Sequence, residues 1–359
     1  MSLQECFLEA IIIDSISLRN FKKSVLTVAW RFLVLVLATG GVACLIGICH
    51  DARAAPVGAI VADKDELESY RNARPIVEWS SSELTRQMPE LKGFDPSPSP
   101  EPLPLILRKV GENVDTFFRN FVNTASVEEV RQEWRRNNAS GEDSSWGHNI
   151  GSGEDSHSAK FQYLLLADPG HEGHGLREYR TDAKGEPVSA AGEPSGFLLT
   201  SGFASLSVYF NLKHQAGSTF RYLGRKALDG RNAYLVAFAQ RPEPGNVIGR
   251  FTAGNQSVPI LVQGVAWIDS ASHEIVRLRT ELLAPQGEIY LEQLTTDISY
   301  GEVRFKESPN AMLLPREVRV TVNFRDKTYR NDHRYSNYRL FKIEIEEKPA
   351  ATPPGAMPE

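Results

Sequence analysis

Two imidazoles and a carboxylate come together in His171-Glu172-Gly173-His174, a cluster of metal-ligand types. A zinc peptidase needs histidines four apart on one helix face, with the intervening glutamate as base. Here they are three apart and flanked by Asp168-Pro169-Gly170 and Gly175, so the segment reads as a turn. Asp269 lies next to Ser270 and Ser272, where its carboxylate can accept backbone N–H groups across a corner; it reads as a cap. Arg277 and Arg279 read as solvent-face strand residues and not as an anion site. Serine, histidine and aspartate are all present, but no G-x-S-x-G elbow orders them, and neither a P-loop nor a dinucleotide fingerprint occurs. The expectation is therefore no enzyme: no catalytic residue, no cofactor and no metal.

Composition narrows the classes further. The three cysteines, Cys6, Cys44 and Cys49, all lie within the first 54 residues, around an apolar run, Phe32 to Ile48. Lys22, Lys23 and Arg31 precede that run, and Ala52-Arg53-Ala54 follows it. A basic flank, an apolar core and an A-x-A site make an export signal. Residues 1–54 are thus expected to be a signal peptide or a retained membrane anchor, with the working chain starting near Ala55. Such a chain has no thiol for catalysis, disulfides or metal. The formal charge of −5, without a Lys/Arg block, gives no reason to expect nucleic acid as partner.

The elements must come from what remains. Residues 55–102 are polar and broken and end in FDPSPSPEPLP, which predicts an extended spacer, with some helical character around Asp63 to Arg71. Ile106, Val110, Val114, Phe117, Phe118 and Phe121 recur at spacings of three and four, which predicts an amphipathic helix from Leu105 to Phe121. Val127 to Trp134 fits either a second short helix or a first strand. Residues 137–158 are rich in Gly, Ser and Asp and predict a polar loop. Phe203 to Leu212 is periodic but of uncertain type. Strand signals otherwise run to Ile345, with a hairpin turn at Asp229-Gly230-Arg231-Asn232. The clearest is Glu317 to Arg325, where Val318, Val320, Val322 and Phe324 alternate with Arg319, Thr321, Asn323 and Arg325. That is a strand with one face on a core and one in water. A Pro/Ala-rich tail, 346–359, is expected to be disordered.

Short connections between many strands, without crossover helices, predict a mainly β (α+β) fold: a curled antiparallel sheet packed on the amphipathic helix. Val110, Val114, Phe118, Val236, Val320, Val322 and Trp267 are expected inside.

YLVAF at Tyr234–Phe238, GVAWIDSASHEIVRLR at Gly264–Arg279 and LLPREVRVTVNF at Leu313–Phe324 resemble the outer-membrane lipoprotein-sorting superfamily, with its LolA and LolB type carriers. The resemblance spans roughly residues 103–345. It implies an incomplete β-barrel, a half-barrel packed on the amphipathic helix, whose concave side is plugged by helices and can carry acyl chains. On that basis the expected function is a non-enzymatic exported protein of the periplasm or another envelope compartment. It would bind a lipid, an acyl chain or a lipidated peptide in a hydrophobic cavity that includes Phe118, Trp267, Val236 and Val320, with membrane association through the leader where that is uncleaved. The alternative is a structural or interaction protein of the envelope with a filled core and no ligand.

Overall fold

The computed structural model describes residues 65–97, 99–100, 102–137, 155–168, 175–188, 202–247, 249–253, 256–306 and 311–340. Two short helices, α1 (Glu68–Arg71) and α2 (Ser81–Gln87), lead to a two-residue strand, β1 (Asp95–Pro96), and the long helix α3 (Leu103–Arg119). Then come β2 (Thr124–Arg136), β3 (Asp155–Asp168) and β4 (Gly175–Thr181), a 3-10 helix (Phe203–Phe210), β5 (Ser218–Leu228) and β6 (Arg231–Gln240). The chain continues through β7 (Gly249–Ala253), β8 (Gln256–Ile260), β9 (Val262–Asp269), β10 (Ile275–Leu282), β11 (Leu291–Val303), β12 (Met312–Phe324) and β13 (Lys327–Leu340).

Eleven of these strands form one sheet in the order β1-β5-β6-β9-β10-β11-β12-β13-β2-β3-β4, while β7 and β8 pair separately. Every pairing is antiparallel. The end strands β1 and β4 do not pair with each other, so the sheet stays open and is not a closed barrel. Val127 to Trp134 thus belongs to a strand, β2, and Phe203 to Leu212 is largely 3-10 helix. The hairpin between β5 and β6 turns on Asp229 and Gly230 at φ of 49° and 78°. Positive φ at both central residues is the twist that matches flanking right-handed strands.

Cross-strand register sorts the side chains. Val236, Ala266, Leu278, Ile298 and Val318 lie opposite one another in successive strands and share one face. Leu235, Trp267, Arg277 and Asp297 or Ser299 lie on the other. The 3-10 helix covers the first face, with Tyr209 stacked on Phe238 at 5.5 Å and Phe203 against His333 at 5.0 Å. Helix α3 packs beside it. Pro104 sits in its first turn, where a missing N–H costs nothing, and Ile106, Val110, Val114 and Phe118 form its buried stripe. Phe118 is 4% exposed. Phe118→Ala is expected to cost about 3–5 kcal/mol, read from the urea midpoint; an unmoved midpoint would mean that this ring is not part of the core.

The described part of 55–102 corrects the expectation of a spacer. Residues 65–97 are folded, and Leu67, Tyr70, Ile76, Leu84, Met88 and Leu91 are all at or near zero exposure. They cover the second face of the sheet. Tyr70 donates to the Pro259 carbonyl, Ile76 N–H donates to Gln263 Oε1 at 2.7 Å, and Arg221 donates to the Val77 and Trp79 carbonyls. Ser80 and Glu83 form a reciprocal capping box that starts α2. The apolar residues of this stretch are spaced singly among charges and prolines, so no periodicity announces them; only the sheet surface gives them a partner. Strand β1 closes the edge at Gly224, where φ is +142° and a Cβ would fall on the Asp95 carbonyl oxygen. The helical character foreseen around Asp63 to Arg71 is present from Asp65.

The expected loop 137–158 is likewise too long, since β3 already begins at Asp155 and pairs with β2. The leader, residues 138–154, His171–His174 and the tail lie outside the described residues. Among the described residues, no helix is long and apolar enough to cross a membrane.

Candidate functional site

A cleft of about 490 Å³ opens along the flank of α3. Val110, Val114 and Phe117 supply the helix wall, and Ala204 and Ser207 of the 3-10 helix continue it. Ile275, Tyr300, Met312, Leu313 and Pro315 form the sheet wall. Asn113, Thr116, Asn120, Ser207, Glu274 and Arg304 supply polar groups, so the lining is about as polar as it is apolar. Two contacts hold the helix side in place: Asn113 Nδ2 donates to the Ser272 carbonyl at 2.8 Å, and Gln215 Nε2 donates to the Leu107 carbonyl at 2.8 Å. A volume of this size lies in the range of small-molecule sites.

Beside the cleft lies a polar cluster buried on the same face. Glu128 Oε1 accepts from Arg180 Nη2 (2.8 Å), the Tyr335 hydroxyl (2.7 Å) and His333 Nδ1 (2.8 Å), while its Oε2 accepts from Arg180 Nε (2.5 Å). The Glu128 and His333 side chains are 0% exposed and that of Arg180 is 4% exposed. Burial pushes the Glu128 pKa up, but the hydrogen bonds from Arg180 and His333 outweigh it and bring it to about 2. Burial holds His333 below the ordinary imidazole value, against the pull of Glu128. The Nδ1 of His333 faces the carboxylate, and its Nε2 has no hydrogen-bond partner. Glu178 accepts the backbone N–H groups of Gly202 (2.7 Å) and Ala204 (3.3 Å) at the start of the 3-10 helix. Burial pushes the Glu178 carboxyl up, against the opposing pull of Arg180 and those amides. The cluster ties β2, β3, β4 and β13 to the 3-10 helix that walls the cleft.

Sequence reasoning missed this cluster. The signal was available in β2, where Ser126, Glu128, Val130 and Gln132 alternate with more exposed neighbours and are all buried. Polar residues at the inward period of a strand were the clue.

The four residues expected to line a hydrophobic cavity are all buried, but none lines this cleft. Phe118, Val236 and Val320 belong to the packed core on the helix side. Trp267 is on the opposite face, under the 65–97 segment, with the Arg277 guanidinium 4.8 Å from its ring centroid. Arg277 and Arg279 are not simply solvent-facing. Arg277 makes a two-pronged pair with Asp297 (2.9 and 2.5 Å), and Arg279 pairs with Glu90 of the covering segment. Asp269 does cap its corner, accepting from the N–H groups of Ala271 (2.8 Å) and Ser272 (2.9 Å). A second hollow, about 700 Å³, crosses β10 to β13, β2 and β3 on the Trp267 face. Its Lys160–Glu129, Arg277–Asp297 and Arg319–Asp332 pairs satisfy one another, as on a solvated sheet face.

No family model matches the chain, and no curated protein matches it. Solved structures do resemble it. A DUF1329 family protein from Desulfovibrio piger is 13% identical at a TM-score of 0.35, covering 67% of this chain and 93% of its own. A LolA superfamily protein from Nitrosomonas europaea is 10% identical at 0.31, covering 67% and 94%. The lipoprotein LppX from Mycobacterium tuberculosis is 10% identical at 0.22, covering 68% and 99%.

Proposed function

We propose that this chain is an exported, non-enzymatic protein of the cell envelope that holds a lipid or acyl chain in the cleft along α3. The observation that carries the reading is the cleft itself: about 490 Å³ between an amphipathic helix and a sheet, walled by Val114, Phe117, Ile275, Met312 and Leu313. The apolar residues of the lining offer a surface to a hydrocarbon chain, and the polar groups among them orient whatever the chain carries. The buried Glu128 cluster does not argue for an enzyme, because its members are sealed from solvent and spend their hydrogen bonds on one another. The Lys22 to Ala54 leader motivates the location.

A second reading, an envelope scaffold with no ligand, draws on the complete burial of Val236, the near-complete burial of Val320 and the tight packing of Phe118. One experiment separates the two. Protein recovered from its own cell envelope is analysed by native mass spectrometry, and binding of the neutral dye Nile red is compared with that of Met312→Trp, which fills the cleft. The expected result is a chain beginning near Ala55, a co-purified lipid, and dye binding that Met312→Trp abolishes. A cytoplasmic chain that keeps residues 32–48 would sink the location. A lipid-free protein whose dye binding is indifferent to Met312→Trp would leave the scaffold.

A further inference from the structure

Among the described residues, two charged side chains line the cleft, and they are of opposite sign: Glu274 and Arg304. Glu274 immediately precedes β10, and Arg304 immediately follows β11. These strands are antiparallel partners, so both charges stand at one end of the sheet wall. The Glu274 backbone is fixed by the corner that Asp269 caps. Its carbonyl accepts the Asp269 N–H (2.9 Å), and its own N–H donates to Ser272 Oγ (3.3 Å). Asn113 of α3 clamps the same corner through the Ser272 carbonyl. The Glu274 carboxylate makes no ion pair among the described residues. Arg304 gives one nitrogen, Nη2, to Glu302, a carboxylate that also lies 4.0 Å from Arg231. The Arg304 side chain is 76% exposed and a guanidinium carries five N–H donors, so it can still take an oxyanion.

We infer that the cleft takes a zwitterionic phospholipid, its ammonium on Glu274 and its phosphate on Arg304. The inference rests on the carrier reading above and specifies its ligand class. The hydrocarbon lies against Val114, Phe117, Met312 and Leu313, and the head stays at the charged end. An anionic head satisfies Arg304 but brings a negative group toward Glu274, and a cationic head does the reverse. A phosphoethanolamine head carries both charges. Its ammonium donates to the carboxylate, and its phosphate oxygens accept from the guanidinium fork. Water screens both groups, so they set selectivity by a small factor while the hydrocarbon supplies most of the affinity.

The test is displacement of Nile red from the full-length protein by three amphiphiles of equal chain length, below their micelle concentrations. Lauroyl lysophosphatidylethanolamine carries both charges, lauroyl lysophosphatidylglycerol lacks the ammonium, and dodecylammonium lacks the phosphate. The ethanolamine lipid is expected to displace the dye at about threefold lower concentration than either of the others. Glu274→Gln is expected to erase its advantage over the glycerol lipid, and Arg304→Gln its advantage over dodecylammonium. Neither substitution touches a backbone contact of the corner, so the thermal midpoints of both variants are expected to match that of the parent. Free phosphoethanolamine, the head without a chain, is expected to leave the dye bound. Displacement by it at the lipid's concentration would mean that the site takes the head group alone, which overturns the lipid assignment. Equal potency of the three amphiphiles, or an ethanolamine preference that survives either substitution, overturns the zwitterion inference and leaves the carrier reading standing. Failure of all three to displace dye, together with dye binding untouched by Met312→Trp, removes both.

Discussion

Glu128→Ala is expected to destabilise the fold by about 3–5 kcal/mol, because it leaves the Arg180 guanidinium buried without its counter-charge. Arg180 gives two hydrogen bonds to this carboxylate, and Tyr335 and His333 each give one more. Urea denaturation of the variant measures the loss. A midpoint unchanged within error would show that the cluster is solvated. Replacing both partners, as Glu128→Gln with Arg180→Met, is expected to recover part of the loss, since no uncompensated charge remains. The acid limb provides the second readout. The folded pKa of Glu128 lies at about 2, against an ordinary value of 4.5. A group depressed in this way contributes stability that is complete above its unfolded value and lost as pH falls through its folded one. The stability gap between the parent and Glu128→Gln should therefore narrow from pH 4.5 down to about 2. A gap that stays constant over that window would mean that the carboxylate is not ionised in the folded state.

Trp267→Ala is expected to cost a similar amount, about 3–5 kcal/mol. Trp267 is fully buried and lies between the sheet and the 65–97 segment, with Arg277 over its ring. Its loss should speed amide exchange in 65–94, since those residues lose the surface that they cover. Nile red binding should be unchanged, because Trp267 and the cleft are on opposite faces of the sheet. Weakened dye binding with exchange in 65–94 unaltered would return this tryptophan to the ligand side.

Both predictions concern residues whose roles local sequence does not announce. A tryptophan inside the GVAWID run looks suited to either face, and Glu128 in a VEEV stretch looks like one of two solvated glutamates. Strand β9 did carry a legible hint. All eight of its residues are buried, and β6 reads Leu235 to Ala239 without a polar position. A strand covered on one face alternates, whereas one covered on both reads as a continuous apolar run. Taken at its word, that run required a second covering layer, and the only unassigned chain before α3 was the supposed spacer.

By itself the sequence determined what short-range physics controls. The α3 stripe, the strict alternation in β12, the Asp229-Gly230 turn, the Asp269 cap and the antiparallel class of the sheet all follow from spacing and turn chemistry within a dozen residues. Tertiary structure alone decided the rest. Glu128, Arg180 and His333 become neighbours only through the β13-β2-β3-β4 register, across as many as 205 residues of chain. The 65–97 segment finds its fold only on a sheet made of strands far downstream, and the cleft exists only where α3 stops short of filling the space above β11 and β12. Period and propensity act along the chain, whereas register, burial of charge and empty volume are properties of surfaces that the chain must first bring together.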